Sequence, residues 1–185
     1  LFTLSILSII CYSSTFSQDA TDTVKYWKYG GFASLNFNQV SLTNWAAGGE
    51  NSVSFVLNGN AFTNYKKGKL YFENSLDVSY GMLWTKQLGL QKNEDRLELL
   101  SKFGRAATEK LYYTFLLEFK SQFANGYNYP DDSNVVSRFL APGYVLASLG
   151  IDYKPVDYFS LYVSPATGKF TFVNKQELAD AGAYG

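Results

Sequence analysis

Asn51-Ser-Val-Ser-Phe-Val-Leu-Asn-Gly-Asn-Ala-Phe-Thr-Asn-Tyr-Lys-Lys-Gly-Lys-Leu70-Tyr-Phe-Glu-Asn-Ser-Leu-Asp-Val-Ser-Tyr-Gly-Met82 is the stretch that decides the fold. Val53, Phe55, Leu57, Gly59, Ala61 and Tyr65 alternate with Ser52, Ser54, Asn58, Asn60 and Asn64; Val56 and Phe62 are the exceptions on the polar side. Successive side chains of a strand point to opposite faces, so this is a strand with one apolar face and one amide- and hydroxyl-rich face. The pattern resumes with Leu70, Phe72, Leu76, Val78, Tyr80 and Met82 against Tyr71, Glu73, Ser75, Asp77 and Ser79. Lys66-Lys67-Gly68-Lys69 between them is a tight polar turn, so the two strands form a hairpin.

Outward from this hairpin the same period predicts strands at Phe32 to Asn38, Arg96 to Arg105, Leu111 to Phe123, Tyr144 to Tyr153 and Tyr158 to Ser164, seven in all. The connections alternate in length. Lys66 to Lys69, Ala106 to Lys110 and Lys154 to Asp157 are short; Val40 to Glu50, Leu83 to Asp95, Ala124 to Gly143 and the segment from Pro165 are long. Short turns on one side and long loops on the other are the habit of outer-membrane barrels. Aromatic residues at 18% of the chain, with Tyr and Phe at fifteen each, suit a surface that meets lipid and its interfaces.

The expected architecture is therefore all-β, an antiparallel up-and-down transmembrane β-barrel over residues 18–185, with an odd strand count that implies further strands and a truncated C-terminus. Residues 1–17 are expected to be a cleavable signal peptide. Leu1 to Ile10 is apolar but too short to span a membrane as a helix, and Thr15-Phe16-Ser17 precedes a plausible cut before Gln18. Cys11 is the only cysteine and falls in the removed segment, so no disulfide or thiol chemistry follows. The expected location is the outer membrane of a Gram-negative bacterium, with its lipid as the main partner and the barrel-assembly machinery as a partner during insertion. The alternative is a secreted soluble β-sandwich that binds carbohydrate or protein, which also alternates but buries its apolar faces between sheets.

Leu35-Asn-Phe-Asn-Gln-Val-Ser-Leu-Thr-Asn-Trp-Ala-Ala-Gly-Gly-Glu-Asn-Ser52 resembles a signature near the start of a family found in Bacteroidota and catalogued as domain of unknown function 3078. Tyr71 to Gly81, Asp95 to Glu98 and Phe119 to Tyr127 are similar to its continuing blocks. The resemblance implies an outer-membrane barrel longer than this chain. It brings no catalytic residue and no substrate.

Charged residues number sixteen of each sign, so there is no basic field to draw nucleic acid. The absence of His removes Ser-His-Asp hydrolysis, and no enzyme, cofactor or metal is expected. The candidate lumen-lining residues are Glu73, Asp77, Arg96, Glu98, Lys102, Glu118, Lys120 and Asp152, with Arg105 placed beside them. They either line a porin-like pore or pair across strands as a polar core. Asn44, Trp45, Gly48, Gly49 and Asn51 form a candidate rim motif, either a ligand platform or a structural turn. Asp131 and Asp132 in the longest loop either hold Ca²⁺ or simply make a turn; the small-molecule ligand is open.

Overall fold

The computed structural model describes residues 25–43, 49–156 and 158–184. The signal segment, Cys11 and the rim residues Asn44, Trp45 and Gly48 lie outside them.

Each of the seven alternating segments forms a strand, and the loop from Ala124 to Gly143 adds two more: β1 (Trp27–Val40), β2 (Ser52–Lys67), β3 (Leu70–Thr85), β4 (Gly89–Ala106), β5 (Leu111–Ser121), β6 (Gly126–Asn128), β7 (Asp131–Ser137), β8 (Gly143–Val156) and β9 (Phe159–Phe172). A short helix, α1 (Gln176–Asp180), follows. Seven strands make one antiparallel sheet in the order β1-β2-β3-β4-β5-β8-β9, and β6 and β7 pair separately. Apart from that hairpin, each strand lies beside its neighbour in sequence, which is up-and-down topology. The all-β, antiparallel expectation is met. A closed barrel is not found: β1 and β9 are the two edges of the sheet. Among the described residues no helix is long and apolar enough to cross a membrane.

Two connections differ from expectation. Leu83 to Asp95 is not a long loop but the extended top of the β3–β4 hairpin, with Trp84 opposite Leu90 and Thr85 opposite Gly89. Gly89, at φ 68°, supplies the left-handed residue that lets Lys86-Gln87-Leu88 turn the chain tightly. The segment from Pro165 likewise continues β9 to Phe172 rather than leaving it. The loop from Ala124 to Gly143 is long as expected, and it folds into the β6–β7 hairpin.

The root of that loop is held by a half-buried ion pair. Lys92 and Asp95 lie 2.7 Å apart, and Asp95 also accepts from the Phe123 and Ala124 amides at 2.8 and 2.9 Å. Lys175 Nζ donates to the Val135 carbonyl and the Tyr184 hydroxyl to that of Val136, so the segment after β9 is tied to β7.

The register sorts side chains by face. Leu57 stands opposite Tyr80, Leu76 opposite Leu99, and Phe103 opposite Phe115, which itself faces Leu149. Leu57, Leu76, Phe115 and Leu149 are all exposed. The buried positions include Ser79, Thr114, Ser148 and Asp152, from the other face. The sheet is thus inside-out relative to a water-soluble one: its sheltered face is polar and its open face apolar.

Candidate functional site

At the short-turn end the polar face carries a network built around Tyr71. Its ring lies across β4 at Gly104, where an added Cβ would sit 1.9 Å from the ring. Only glycine leaves room for the tyrosine to lie flat over its neighbour strand. From there the phenol reaches Thr114 Oγ1 on β5 at 2.7 Å and Asp152 Oδ2 on β8 at 3.0 Å. A phenol has one hydrogen, so Tyr71 donates to the carboxylate and accepts from the threonine hydroxyl.

β3 and β8 are three strand spacings apart, about 14 Å along the sheet. A single side-chain bridge closes that span because the sheet curls toward its polar side. Lys154, two residues beyond Asp152 and so on the same face, repeats the crossing. Its Nζ lies 2.6 Å from Glu73 Oε1, 3.5 Å from Asp152 Oδ2 and 4.2 Å from the centre of the Tyr71 ring. Tyr112 packs edge-on against Tyr71 at 5.0 Å. Asp152 is fully buried, with Ser160 donating to its second oxygen, so a buried charge has both of its oxygens engaged.

Higher on the same face, Asn60 Nδ2 donates to Asp77 at 2.7 Å and Ser79 Oγ to Asn58 at 2.8 Å. Lys120 lies 3.1 Å from Glu118 and 3.9 Å from Glu98; Arg96 lies 3.9 Å from Glu94. Lys102 pairs in register with Glu73, but that carboxylate is held by Lys154, and the Lys102 ammonium stands 5.8 Å from the Tyr162 ring.

All eight candidate lumen residues therefore share one face, in three groupings: Glu73 and Asp152 joined through Lys154, Glu98 and Glu118 joined through Lys120, and Asp77, Arg96 and Lys102 with separate partners. Arg105 is corrected. It sits opposite Leu70 and Tyr113 on the apolar face, one residue out of phase with Lys102 and Gly104. Sequence reasoning missed Lys154, which had been assigned to a turn, and the central place of Tyr71. Parity with Asp152 would have found the lysine; nothing local marks the tyrosine, because its partners are 43 and 81 residues away.

Of the rim motif, Gly49 and Asn51 are described. Asn51 Oδ1 accepts from the Leu42 amide at 2.6 Å across the connection, and Gly49 has φ 113°. In the long loop, Asp131 accepts from the Ser133 amide and from Asn134 Nδ2, both at 3.0 Å, and from the Ser133 hydroxyl. These bonds, the Ser133 hydroxyl first, hold its carboxyl below the usual range. Its oxygens are occupied by the turn itself. Among the described residues no three acidic, His or Cys side chains converge as a metal site would need.

Residues 37–127, just under half of the chain, match the model of a family described as "Protein of unknown function (DUF3078)". The matched span runs from within β1 through β5 and takes in Tyr71, Glu73, Gly104 and Thr114. No curated protein and no solved structure matches the chain.

Proposed function

We propose that this chain forms wall strands of a non-enzymatic outer-membrane β-barrel, with its polar face toward the lumen. The observation that carries the reading is the inversion of the sheet: exposed Leu, Phe and Val on one face, buried Asp, Ser and Thr on the other. Lipid stabilises the first face, and the curl of the sheet shelters the second.

The height of the apolar face supports it. On β4 the outward positions Leu97, Leu99, Ser101 and Phe103 lie between the charges of Asp95 and Arg105. Ten residues of strand cover about 33 Å, or about 25 Å once tilted by some 40°, close to the apolar band of an outer-membrane barrel. The one polar row inside the band is self-satisfied, since Ser101 donates to Asn74 Oδ1 at 2.8 Å and Asn74 to the Thr63 carbonyl. Trp27, Tyr65, Tyr113 and Tyr153 near one end, and Tyr80 and Trp84 near the other, suit interfacial girdles.

A soluble sandwich would need a second sheet over the apolar face. Among the described residues the only further strands are β6 and β7, of three and seven residues. Closure as a barrel instead needs partners for the free edges of β1 and β9. Most lumen charges pair with one another, which favours a packed polar wall serving envelope structure over an ion-selective pore.

The test is fractionation of the full-length gene product with heat-modifiability on detergent gels. A heat-shifted band in the outer-membrane fraction, with little conductance in planar bilayers, is expected. A soluble product without a shift overturns the barrel; a large, charge-selective conductance overturns the packed wall.

A further inference from the structure

The short turns frame a cavity of about 580 Å³ on the polar face, above the Tyr71 network. Four lysines, Lys66, Lys102, Lys110 and Lys154, line it against two glutamates, Glu73 and Glu109. Lys154 is paired with Glu73 and with Asp152 beneath it, which leaves that trio with one carboxylate in excess. Lys66, Lys102 and Lys110 make no ion pair within 4.0 Å among the described residues. The far half of the same face is different: there Glu98, Glu118 and Lys120 cluster together and Arg96 has Glu94. Four ammonium groups thus face three carboxylates, Glu73, Glu109 and Asp152, at this mouth, a balance of +1, whereas in the far cluster Lys120 and Arg96 face Glu94, Glu98 and Glu118, a balance of −1.

We propose that this cavity is a binding site for a phosphoryl group carried by a small molecule that enters from the short-turn side. Lysine ammonium groups are compact charges that suit phosphate oxygens. A phosphoryl group of charge about −2 answers three unpaired cations better than a single carboxylate does. The cavity opens on the polar face, so its ligand comes from water and not from lipid. Lys102 is the central residue, because its register partner Glu73 is already engaged and, among the described residues, its ammonium has the Tyr162 ring and no carboxylate beside it. Tyr112, Tyr158 and Phe159 on the same walls give an apolar surface for the body of the ligand.

Titration of inorganic pyrophosphate into the purified full-length protein, followed by calorimetry, tests this. Saturable binding is expected that weakens as salt is raised, falls at least tenfold in Lys102→Gln and returns in Lys102→Arg. Lys66→Gln, at an exposed strand end, gives the same reading should Lys102→Gln fail to fold. Absence of saturable binding overturns the proposal, and so does an equal loss from Lys86→Gln at the opposite end of the sheet, which would mean diffuse attraction. The site does not rest on the membrane reading: a soluble product that binds pyrophosphate sinks only the barrel, and an outer-membrane product that does not bind sinks only the site.

Discussion

Ile151, Asp152 and Tyr153 are consecutive on β8, yet Asp152 is 0% exposed while Ile151 is 45% and Tyr153 39%. The carboxylate is hidden and the apolar neighbours are bare, the reverse of a sheet folded against water. The difference between the two faces teaches that burial here follows curvature. Side chains on the concave side converge and shelter one another, whereas those on the convex side splay apart and stay exposed.

The largest effect should come from breaking the joint that sets the curl. Gly104→Val drives a side chain into the Tyr71 ring, combining overpacking with the loss of the Thr114 and Asp152 bonds; about 4 kcal/mol is expected in urea unfolding of the purified full-length protein. A variant as stable as the parent would show that Tyr71 is not the strut. Next comes the contrast between faces. On the barrel reading proposed above, Leu76→Arg at mid-strand should cost about 2–4 kcal/mol and Ser75→Arg, on the polar side, much less. Equal costs would break the facing assignment.

Tyr71→Phe keeps the ring over Gly104 and removes only the hydroxyl, so about 1–3 kcal/mol is expected, below the Gly104→Val effect. Glu73→Gln should cost about 0.5 kcal/mol, since the Glu73 side chain is partly exposed and Lys154 keeps Asp152. The smallest effect is in the long loop. Asp131 is held below the usual carboxyl range when folded, so its contribution is present above the unfolded value of about 3.9 and is lost as pH falls through the folded one. Asp131→Asn should therefore abolish any loosening of the β6–β7 hairpin between neutral and acid pH, seen by amide exchange. A loosening that persists would place its cause elsewhere.

Much of the fold was legible because strand alternation is a local, repeated signal. Leu57, Leu76, Phe115 and Leu149 could be assigned to one face, and Glu73, Asp77 and Asp152 to the other, from parity alone. Where parity was slipped by one, as at Arg105, the assignment failed. The misjudged connection at Leu83 to Asp95 shows the other weakness: a turn made of Lys86-Gln87-Leu88 before Gly89 has little turn chemistry beyond its glycine, so a tight hairpin passed for a loop.

The candidate site was legible only as a set of residues. Its connections were not, because Tyr71 to Asp152 and Lys154 to Glu73 are each separated by 81 residues and depend on how far the sheet bends. What the sequence by itself determined was the strands, their order as successive hairpins and the polarity of each face, since period and turn chemistry act over a few residues. Only the tertiary structure decided that the polar face is the sheltered one, that Gly104 makes room for Tyr71, and that Lys154 is held while Lys102 stands without a carboxylate. Those outcomes follow from curvature, which sums small twists over seven strands and leaves no local mark on the chain.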